Sequence, residues 1–199
     1  MSRPYAFILA SSSPRRRELL ASLGVDFTVT KPAIDETQRE GESPEAYVQR
    51  LSAEKAAAVA AQLQTPALIL AADTIVIDGD AILGKPADAD EARLALRHLR
   101  GRLHRVCTAI TLQRVNGDSQ RLTRLDCTEV HMREYDDDEI EAYIATGDPF
   151  DKAGSYAIQH PEFAPVDHIN GSYTNVMGLP LELLREALAD IRWVLEAEP

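Results

Sequence analysis

The run from Ser11 to Arg17 gathers residues suited to binding phosphate: three serines, a proline and three consecutive arginines. Ser13 and Pro14 are types preferred at the N-cap and the first position of a helix, which places the arginines in its first turn. A helix N-terminus carries about half a positive charge, so each cation there costs a few tenths to about 1 kcal/mol unless an anion compensates it. Backbone N–H groups, hydroxyls and guanidinium groups that converge there form a phosphate site. The alternative is a solvated basic turn that pairs with acidic neighbours such as Glu18.

The overall charge makes this local concentration informative. The 199 residues include 21 Lys and Arg against 32 Asp and Glu, a formal charge of -11. Such a charge disfavours binding to nucleic acids and to anionic membranes, so we expect neither as a partner. A polyphosphate ligand requires positive charge gathered at one place, as it is between residues 11 and 17. The pattern Gly-x-x-x-x-Gly-Lys-Ser/Thr is absent from the sequence, which argues against a P-loop enzyme.

Two carboxylates are candidates for metal binding or water activation. Asp73 follows the apolar run 67–72, and we predict it at the end of that strand, where α/β folds open toward a cleft. A turn-forming or capping aspartate is the alternative. Glu36 lies on a predicted loop within 34–37, where a solvated acidic patch is the alternative.

Two lysines and a glutamine complete the candidate set. Lys55 lies in an alanine-rich predicted helix, where an exposed lysine is the default interpretation, and Lys85 directly precedes a proline that fixes the local backbone. Gln159 ends the polar segment 151–159, and its amide matches the O4 and N3–H edge of uracil or thymine. A buried glutamine satisfied by the backbone is the alternative.

Strand and helix signals alternate around these residues and predict a mixed α/β fold with a hairpin-rich sheet. Capping and stop signals predict helices that begin at Pro14 and end by Gly24, and that span 44–62, 88–99, 136–147 and 179–188. Apolar runs and turn dipeptides predict strands at 7–10, at 67–72 leading into 74–77 with a return strand at 81–83, and at 106–115 and 121–132 around Asn116-Gly117.

Composition places the chain in the cytosol as one compact domain. A hydrophobic content of 45% supports a substantial core, and no apolar run approaches the roughly 20 residues of a membrane span. The N-terminus is too short and too lightly charged for a signal peptide. Cys107 and Cys127 lie on predicted partner strands, and a reduced pair is expected rather than a disulfide. The histidines show no zinc-ligand spacing, and His160 and His168 fall in a predicted proline-containing loop.

Together these motifs closely resemble the Maf family of nucleoside triphosphate pyrophosphatases, also called septum formation inhibitors. The resemblance spans residues 7 to about 188, and the short patterns recur in order at matching separations. The patterns are Ser11-Ser12-Ser13-Pro14-Arg15-Arg16, Glu54-Lys55, Ala72-Asp73-Thr74, Gly84-Lys85-Pro86, Asp151-Lys152-Ala153-Gly154, Ile158-Gln159 and Gly178-Leu179-Pro180-Leu181.

The resemblance implies a two-lobed α/β fold similar to inosine triphosphate pyrophosphatases, with the nucleotide in the cleft between the lobes. It assigns the proton acceptor to Asp73 and the characteristic lysines to Lys55 and Lys85. The phosphate-binding motif falls on Ser11, Ser13, Arg15 and Arg16. The residues that set substrate choice in the dTTP/UTP branch match Arg15, Thr74 and Gln159. A homodimer is a further inference from the family.

We therefore expect hydrolysis of dTTP or UTP to the monophosphate and pyrophosphate. Asp73 and Glu36 would hold Mg²⁺ or Mn²⁺ and a water for in-line attack on the α-phosphorus, while the cations neutralise the phosphates. The alternatives are a 7-methyl-GTP pyrophosphatase, a non-catalytic nucleotide-binding regulator of cell division, and a phosphatase that releases inorganic phosphate. One departure from the family pattern is the segment 160–165, which replaces glycine-rich sequence and which we expect to alter the base-side wall.

Overall fold

The computed structural model describes residues 5–116 and 120–193. Its strands are β1 (Ala6–Ala10), β2 (Thr28–Thr30), β3 (Ala67–Asp78), β4 (Ala81–Leu83), β5 (Leu103–Val115), β6 (Gln120–Met132) and β7 (Val166–Asn170). Its α-helices are α1 (Pro14–Ala21), α2 (Pro44–Ala60), α3 (Ala89–Leu99), α4 (Asp137–Ala145), α5 (Tyr173–Val176) and α6 (Leu181–Asp190). The seven strands form one sheet in the order β2-β1-β3-β5-β6-β7, with β4 paired to β3. The predicted mixed α/β architecture is confirmed.

Strand β3 is the centre of the sheet and carries Asp73. It runs parallel to β1 from Ala67 to Ala71 and antiparallel to β5 from Ala67 to Ile77. Asp73 therefore lies inside β3, and the prediction that it ends a strand is wrong. The antiparallel pairing with β5 supplies hydrogen bonds beyond Ala71, so the strand continues after its parallel neighbour has ended. Asp73 stands two residues past the end of the parallel pairing, where β1 no longer covers that edge of β3.

The predicted starts of the first four helices are confirmed by their capping contacts, whereas the last helix begins at Leu181 rather than at the predicted Leu179. The side chains of Ser13, Ser43, Asp88 and Asp136 each accept a hydrogen bond from the backbone N–H three residues later, and prolines follow two of these caps. Helix α1 ends at Ala21, earlier than the predicted stop at Gly24, which instead forms the following turn with φ +66°.

The helices form two groups on the sheet, here called the first and second lobes. In the first lobe, α1 and α6 cover one face of β1 and of the first half of β3, and α2 covers the other face. In the second lobe, α3 and α4 enclose a separate apolar cluster with Val76, Val106 and Val130. Strand β3 passes from one lobe to the other, so the residues between its two halves face the cleft between the lobes.

The fold differs from the predictions in some elements, and one predicted turn residue lies outside the described ranges. Strands β2 and β7 and helix α5 were not predicted, and His168 lies in β7 rather than in a loop. The reason is that β7 lies at the edge of the sheet and leaves most of its residues exposed, so it lacks a strong apolar pattern. Gly117, the second residue of the predicted hairpin turn, lies outside the described residues. Within the described ranges, no helix is both long and apolar enough to cross a membrane.

The two cysteines form a disulfide, which corrects the expectation of reduced thiols. Cys107 and Cys127 stand directly opposite each other in the β5–β6 pairing, with their Cα atoms 4.1 Å apart. Opposed residues of an antiparallel pair project to the same face of the sheet, so the register itself brings the sulfur atoms together. Sequence reasoning placed the residues on partner strands but relied on compartment to choose the oxidation state.

Buried His104 makes the stability of the fold depend on pH. Its Nε2 lies 2.7 Å from the hydroxyl of Tyr156, and burial lowers the pKa of His104 to about 4. In the unfolded chain a histidine titrates near about 6.5. The unfolded state therefore binds a proton below this pH while the folded state does not. The stability present above about pH 6.5 is accordingly lost as pH falls toward about 4.

We predict that lowering the pH from about 7.5 to about 5.0 removes about 2 kcal/mol of unfolding free energy through this one group. The measurement is urea denaturation of wild type and His104→Gln at both pH values. The His104→Gln variant should show a loss smaller by about that amount, whereas His168→Gln, at an exposed histidine, should behave as wild type. An equal pH-dependent loss in His104→Gln would contradict the assignment.

Candidate active site

The cleft between the lobes has a volume of about 590 Å³ and brings the whole predicted set together. The predicted residues that line it are Ser11, Ser13, Arg15, Arg16, Glu36, Lys55, Asp73, Thr74, Lys85 and Gln159. They come from α1 and the turn before it, from the loop that precedes α2, from α2 and β3, from the turn after β4, and from the segment after α4. Their roles remain predictions, but their convergence is a property of the fold.

Lys55 joins the two candidate carboxylates. Its Nζ lies 2.5 Å from Oδ1 of Asp73 and 2.8 Å from Oε1 of Glu36. Lys55 and Asp73 are only 9% and 8% exposed, so the default of an exposed lysine is wrong. The cause is the packing of α2 against β3, which turns Lys55 toward the sheet. Both carboxylates therefore point at a single cation position at the floor of the cleft.

The charges around Glu36 keep it ionised. Burial acts to raise its pKa, but the hydrogen bond from Lys55 and the charges of Lys55 and Lys85 outweigh this and hold the pKa below its ordinary value. The hydroxyl of Tyr47 donates to the backbone carbonyl of Glu36 at 2.7 Å. Sequence reasoning missed Tyr47, which also lines the cleft. Its position on α2, eight residues before Lys55, carries no motif that would have revealed this contact.

The loop that carries Glu36 is also held in place by contacts with Arg50 of α2. Arg50 of α2 donates from Nε and Nη2 to the two carboxylate oxygens of Glu42, at 2.6 and 2.8 Å. Its Nη2 also donates to the carbonyl of Thr37 at 3.1 Å. These hydrogen bonds lower the pKa of Glu42 to about 2. A bidentate arginine contact fixes geometry more tightly than a single contact does. Helix α2 thus supplies Lys55 to the site and also holds the loop opposite it.

The serines organise the turn before α1. Ser11 accepts a hydrogen bond from the backbone N–H of Ser13 at 3.1 Å, and Ser13 accepts one from the N–H of Arg16 at 3.4 Å. Each hydroxyl keeps its own proton available, because a serine that accepts through its oxygen can still donate. The turn therefore offers hydroxyl donors at a helix N-terminus, as the sequence predicts for a phosphate site.

Arg16 binds protein groups rather than standing free in the cleft. Its Nε donates to the carbonyl of Gly178 at 2.8 Å, Nη1 to the carbonyl of Ala72 at 2.9 Å, and Nη2 to Oγ1 of Thr74 at 2.8 Å. Three of its five N–H donors are thereby occupied. Arg16 ties α1 to β3 and to the segment before α6, and it leaves two N–H groups for a ligand.

The hydroxyl of Thr74 is committed in the same network. Thr108 donates its only hydroxyl proton to the carbonyl of Asn175 at 2.9 Å, so Thr74 must be the donor in its 2.9 Å contact with Thr108. Thr74 also accepts from Arg16. It can therefore meet a ligand only as an acceptor, through its remaining lone pair.

The cations that remain available are Arg15, Lys31 and Lys85. Arg15 makes one 3.5 Å contact with Asp151, whose carboxylate is 61% exposed. Lys31 and Lys85 line the cleft, and neither forms an ion pair within the described part of the chain. Sequence reasoning missed Lys31, which follows the short strand β2 outside any motif. These three side chains give the cleft its uncompensated positive charge.

Gln159 is exposed and lines the cleft, so the alternative of a buried, backbone-satisfied glutamine is wrong. Its amide has no hydrogen-bond partner among the described residues, and apolar side chains such as Ile158 and Met177 line the cleft near it. The divergent segment 160–165 lies elsewhere. His160 accepts from the N–H of Phe163 and packs against α4, and none of the residues 160–165 lines the cleft. The expected change in the base-side wall is therefore not found.

Comparison with known proteins places the chain in a family. Residues 6–191 match the family described as Maf-like protein. The chain belongs to the Maf family. A relative from Syntrophus aciditrophicus, named dTTP/UTP pyrophosphatase, is 48% identical over 92% of this chain and 89% of its own length. Relatives with the same name from Thermoanaerobacter sp. (strain X514) and Alcanivorax borkumensis are 45% and 46% identical, covering 91% and 92% of this chain and 94% and 95% of their own.

Solved structures give a more distant likeness. The nucleoside-triphosphatase / dITP/XTP pyrophosphatase of Mycobacterium abscessus aligns with a TM-score of 0.43 and 14% identity, over 94% of this Maf chain and 97% of that one. A match at that score carries no inference about the cleft.

We predict that Arg16→Lys lowers the unfolding free energy of this Maf protein by about 2 kcal/mol, because three acceptors lose the planar fork that serves them together. Urea denaturation measures the loss. Arg15→Lys is the matched control and should stay within about 0.5 kcal/mol of wild type, because an exposed ion pair contributes little. Equal losses in the two variants would show that the Arg16 contacts do not hold the lobes.

Proposed function

We propose that this Maf protein hydrolyses dTTP and UTP to the nucleoside monophosphate and pyrophosphate. The observation that carries the proposal is the buried Lys55–Asp73 pair at the floor of a cleft whose walls hold unpaired cations. A carboxylate near the phosphates supports hydrolysis, because a protein that only binds nucleotide has no need for it. The names of the relatives support the same reaction and substrates.

The cleft provides separate places for the two ends of a nucleotide. The hydroxyls of Ser11 and Ser13 and the side chains of Arg15 and Lys85 line the phosphate end, and positioning with charge neutralisation supplies most of the catalysis in phosphoryl transfer. Gln159 offers both a donor and an acceptor to the O4 and N3–H edge of a pyrimidine. The O6 and N1–H edge of 7-methylguanine presents the same pattern, so the choice of dTTP and UTP over 7-methyl-GTP rests on the names of the relatives.

The acidic residues also suit a divalent metal. Asp73 and Glu36 direct hard oxygen donors to one point, now spanned by the ammonium of Lys55. Among the described residues, no cluster of three or more histidine, cysteine or carboxylate side chains forms a metal cage. Mg²⁺ is commonly held by one or two carboxylates together with substrate phosphates, so this donor set fits it or Mn²⁺. A metal bound there supplies Lewis-acid stabilisation of charge on the phosphate oxygens.

In the proposed reaction, Asp73 takes a proton from a water that attacks the α-phosphorus in line with the leaving group. The bond from the α-phosphorus to the oxygen that bridges to the β-phosphate breaks, and pyrophosphate leaves. Lys55 compensates the buried charge of Asp73 and orients its carboxylate. Arg15 and Lys85 neutralise the triphosphate as charge moves toward the leaving group.

The direct test is a panel of triphosphates assayed for both monophosphate and pyrophosphate. We expect dTTP and UTP to have the highest kcat/KM, because relatives at 45 to 48% identity are named for these substrates. Preference for 7-methyl-GTP would overturn the substrate assignment. Tight binding without turnover would instead support a nucleotide-binding regulator, and release of inorganic phosphate would indicate a phosphatase.

Asp73→Asn is the catalytic control for that panel. It keeps the shape of the side chain but removes the base, so kcat should fall by at least about a hundredfold. Binding of a non-hydrolysable dTTP analogue should persist, which separates loss of chemistry from loss of the fold. Near-normal turnover by Asp73→Asn would refute its assignment as general base.

We also predict that a chelator abolishes turnover and that Mg²⁺ or Mn²⁺ restores it. Glu36→Gln should raise the metal concentration needed for half-maximal activity by at least about tenfold, because one of two carboxylate donors loses its charge. Glu54→Gln, beside Lys55 in sequence but paired with Arg50, is the matched control and should titrate as wild type. Metal-independent turnover would refute the cofactor assignment. A cytoplasmic location, a homodimer and the absence of nucleic-acid binding remain predictions from the sequence and the family.

A further inference from the structure

The ammonium of Lys85 projects from a weakly supported piece of backbone. Lys85 follows β4, a strand of three residues whose only strand partner in the described part of the chain is β3. The last paired residues are Val76 and Leu83. Beyond Leu83 no ladder hydrogen bond holds the chain, so the backbone that carries Lys85 needs an anchor from elsewhere.

Gly154 provides that anchor. Its backbone N–H donates to the carbonyl of Gly84 at 3.0 Å, directly before Lys85. Gly154 has φ +69°, and a Cβ built on it would lie 3.0 and 3.1 Å from the two methyl carbons of Val76. Glycine alone avoids both the backbone strain and this collision. The close approach of Gly154 to β3 is what brings its N–H within reach of Gly84.

The segment around Gly154 is itself rigid. Lys152, only 6% exposed, donates from Nζ to the carbonyl and Oδ1 of Asp148, both at 2.7 Å, and to Oδ1 of Asp151 at 2.8 Å. The N–H of Ser155 donates to the carbonyl of Lys152 at 3.1 Å. The charge of Lys152 is thus neutralised within this segment and is not available to a ligand. The same contacts fix the backbone beside Gly154, which lies close to β3.

We propose that Gly154 is a positioning residue that sets where the Lys85 ammonium stands in the cleft. The inference rests on the proposed role of Lys85 in binding the triphosphate. A side chain at position 154 pushes the segment away from Val76, breaks the hydrogen bond to Gly84 and frees the backbone that aims Lys85. Gly154 itself does not line the cleft, and we expect its effect to pass through Lys85, whose backbone it anchors at Gly84.

The test compares Gly154→Ala with Gly24→Ala. Gly24 has φ +66°, and a Cβ built on it would meet nothing within 4 Å, so this position carries the same backbone strain without a collision. Gly154→Ala should lower kcat/KM for dTTP at least tenfold, while Gly24→Ala stays within twofold of wild type. Thermal unfolding of both variants confirms that each is folded at the assay temperature. Equal activity of the two variants would overturn the proposal.

Removal of the obstacle should rescue the activity. In a Val76→Ala background the methyl groups that meet the new Cβ are gone, so Gly154→Ala should cost less than threefold relative to Val76→Ala alone. This pair also keeps the test decisive if Gly154→Ala does not fold, because only the Cβ of residue 76, at 3.2 Å from the new Cβ, remains of the obstacle in the double variant. A tenfold loss that persists in the Val76→Ala background would show that the close approach to β3 is not the cause.

Lys85→Met separates failure of this inference from failure of the proposed function. Pyrophosphate release by wild type tests the function independently of both residues. If Gly154 acts through Lys85, Gly154→Ala should change KM and kcat in the same proportion as Lys85→Met. Adding it to Lys85→Met should then cost no more than a further twofold. Independent, multiplying losses would overturn the coupling, and an unchanged kcat/KM in Lys85→Met would remove the role on which it rests.

Discussion

The buried contact between Lys55 and Asp73 is the constraint around which the cleft is organised. An aspartate in the middle of an apolar strand loses hydration worth several kcal/mol, which only a well-placed partner offsets. That partner must come from α2, so the helix has to lie against the sheet at a fixed rotation. A second buried contact, between the hydroxyls of Ser52 and Thr111 at 2.8 Å, fixes the same face of α2 to β5 one turn away. The position of α2 on the sheet therefore determines the geometry of the site.

The arginines show why residue type alone does not assign a role. Arg15 and Arg16 are adjacent in one motif, yet Arg15 stands nearly free while Arg16 is bound by three oxygen atoms. Lys85 and Lys152 differ in the same way, since Lys152 is surrounded by carboxylate and carbonyl oxygens. Of these four cations, Arg16 and Lys152 thus stabilise the fold instead of binding a ligand. Arg15 and Lys85 remain available to a ligand because Arg16 and Lys152 make the structural contacts.

Local signals predicted local structure well. The caps at Ser13 and Ser43 set the helix starts because capping is an interaction within a few residues. Asp73 was recognised as a candidate from one carboxylate in an apolar run, but its place within β3 was not, because antiparallel pairing with β5 is a contact between distant parts of the chain. The burial of Lys55 escaped prediction for a similar reason. The alanines of α2 are too small to mark a strongly apolar face, so the helix gives little indication of which side meets the sheet.

The hydrogen bond from Arg16 to Gly178 joins positions 162 residues apart. A contact of such long sequence separation depends on the strands and helices between its partners, which bring the two residues together. On the ribosome, where chains emerge from the N-terminus, the arginine is available long before its acceptor has been synthesised. A nascent chain accordingly lacks this contact of Arg16 until residue 178 has emerged, and truncated translation products that end before it lack the wall of the cleft formed by Val176, Met177 and Gly178.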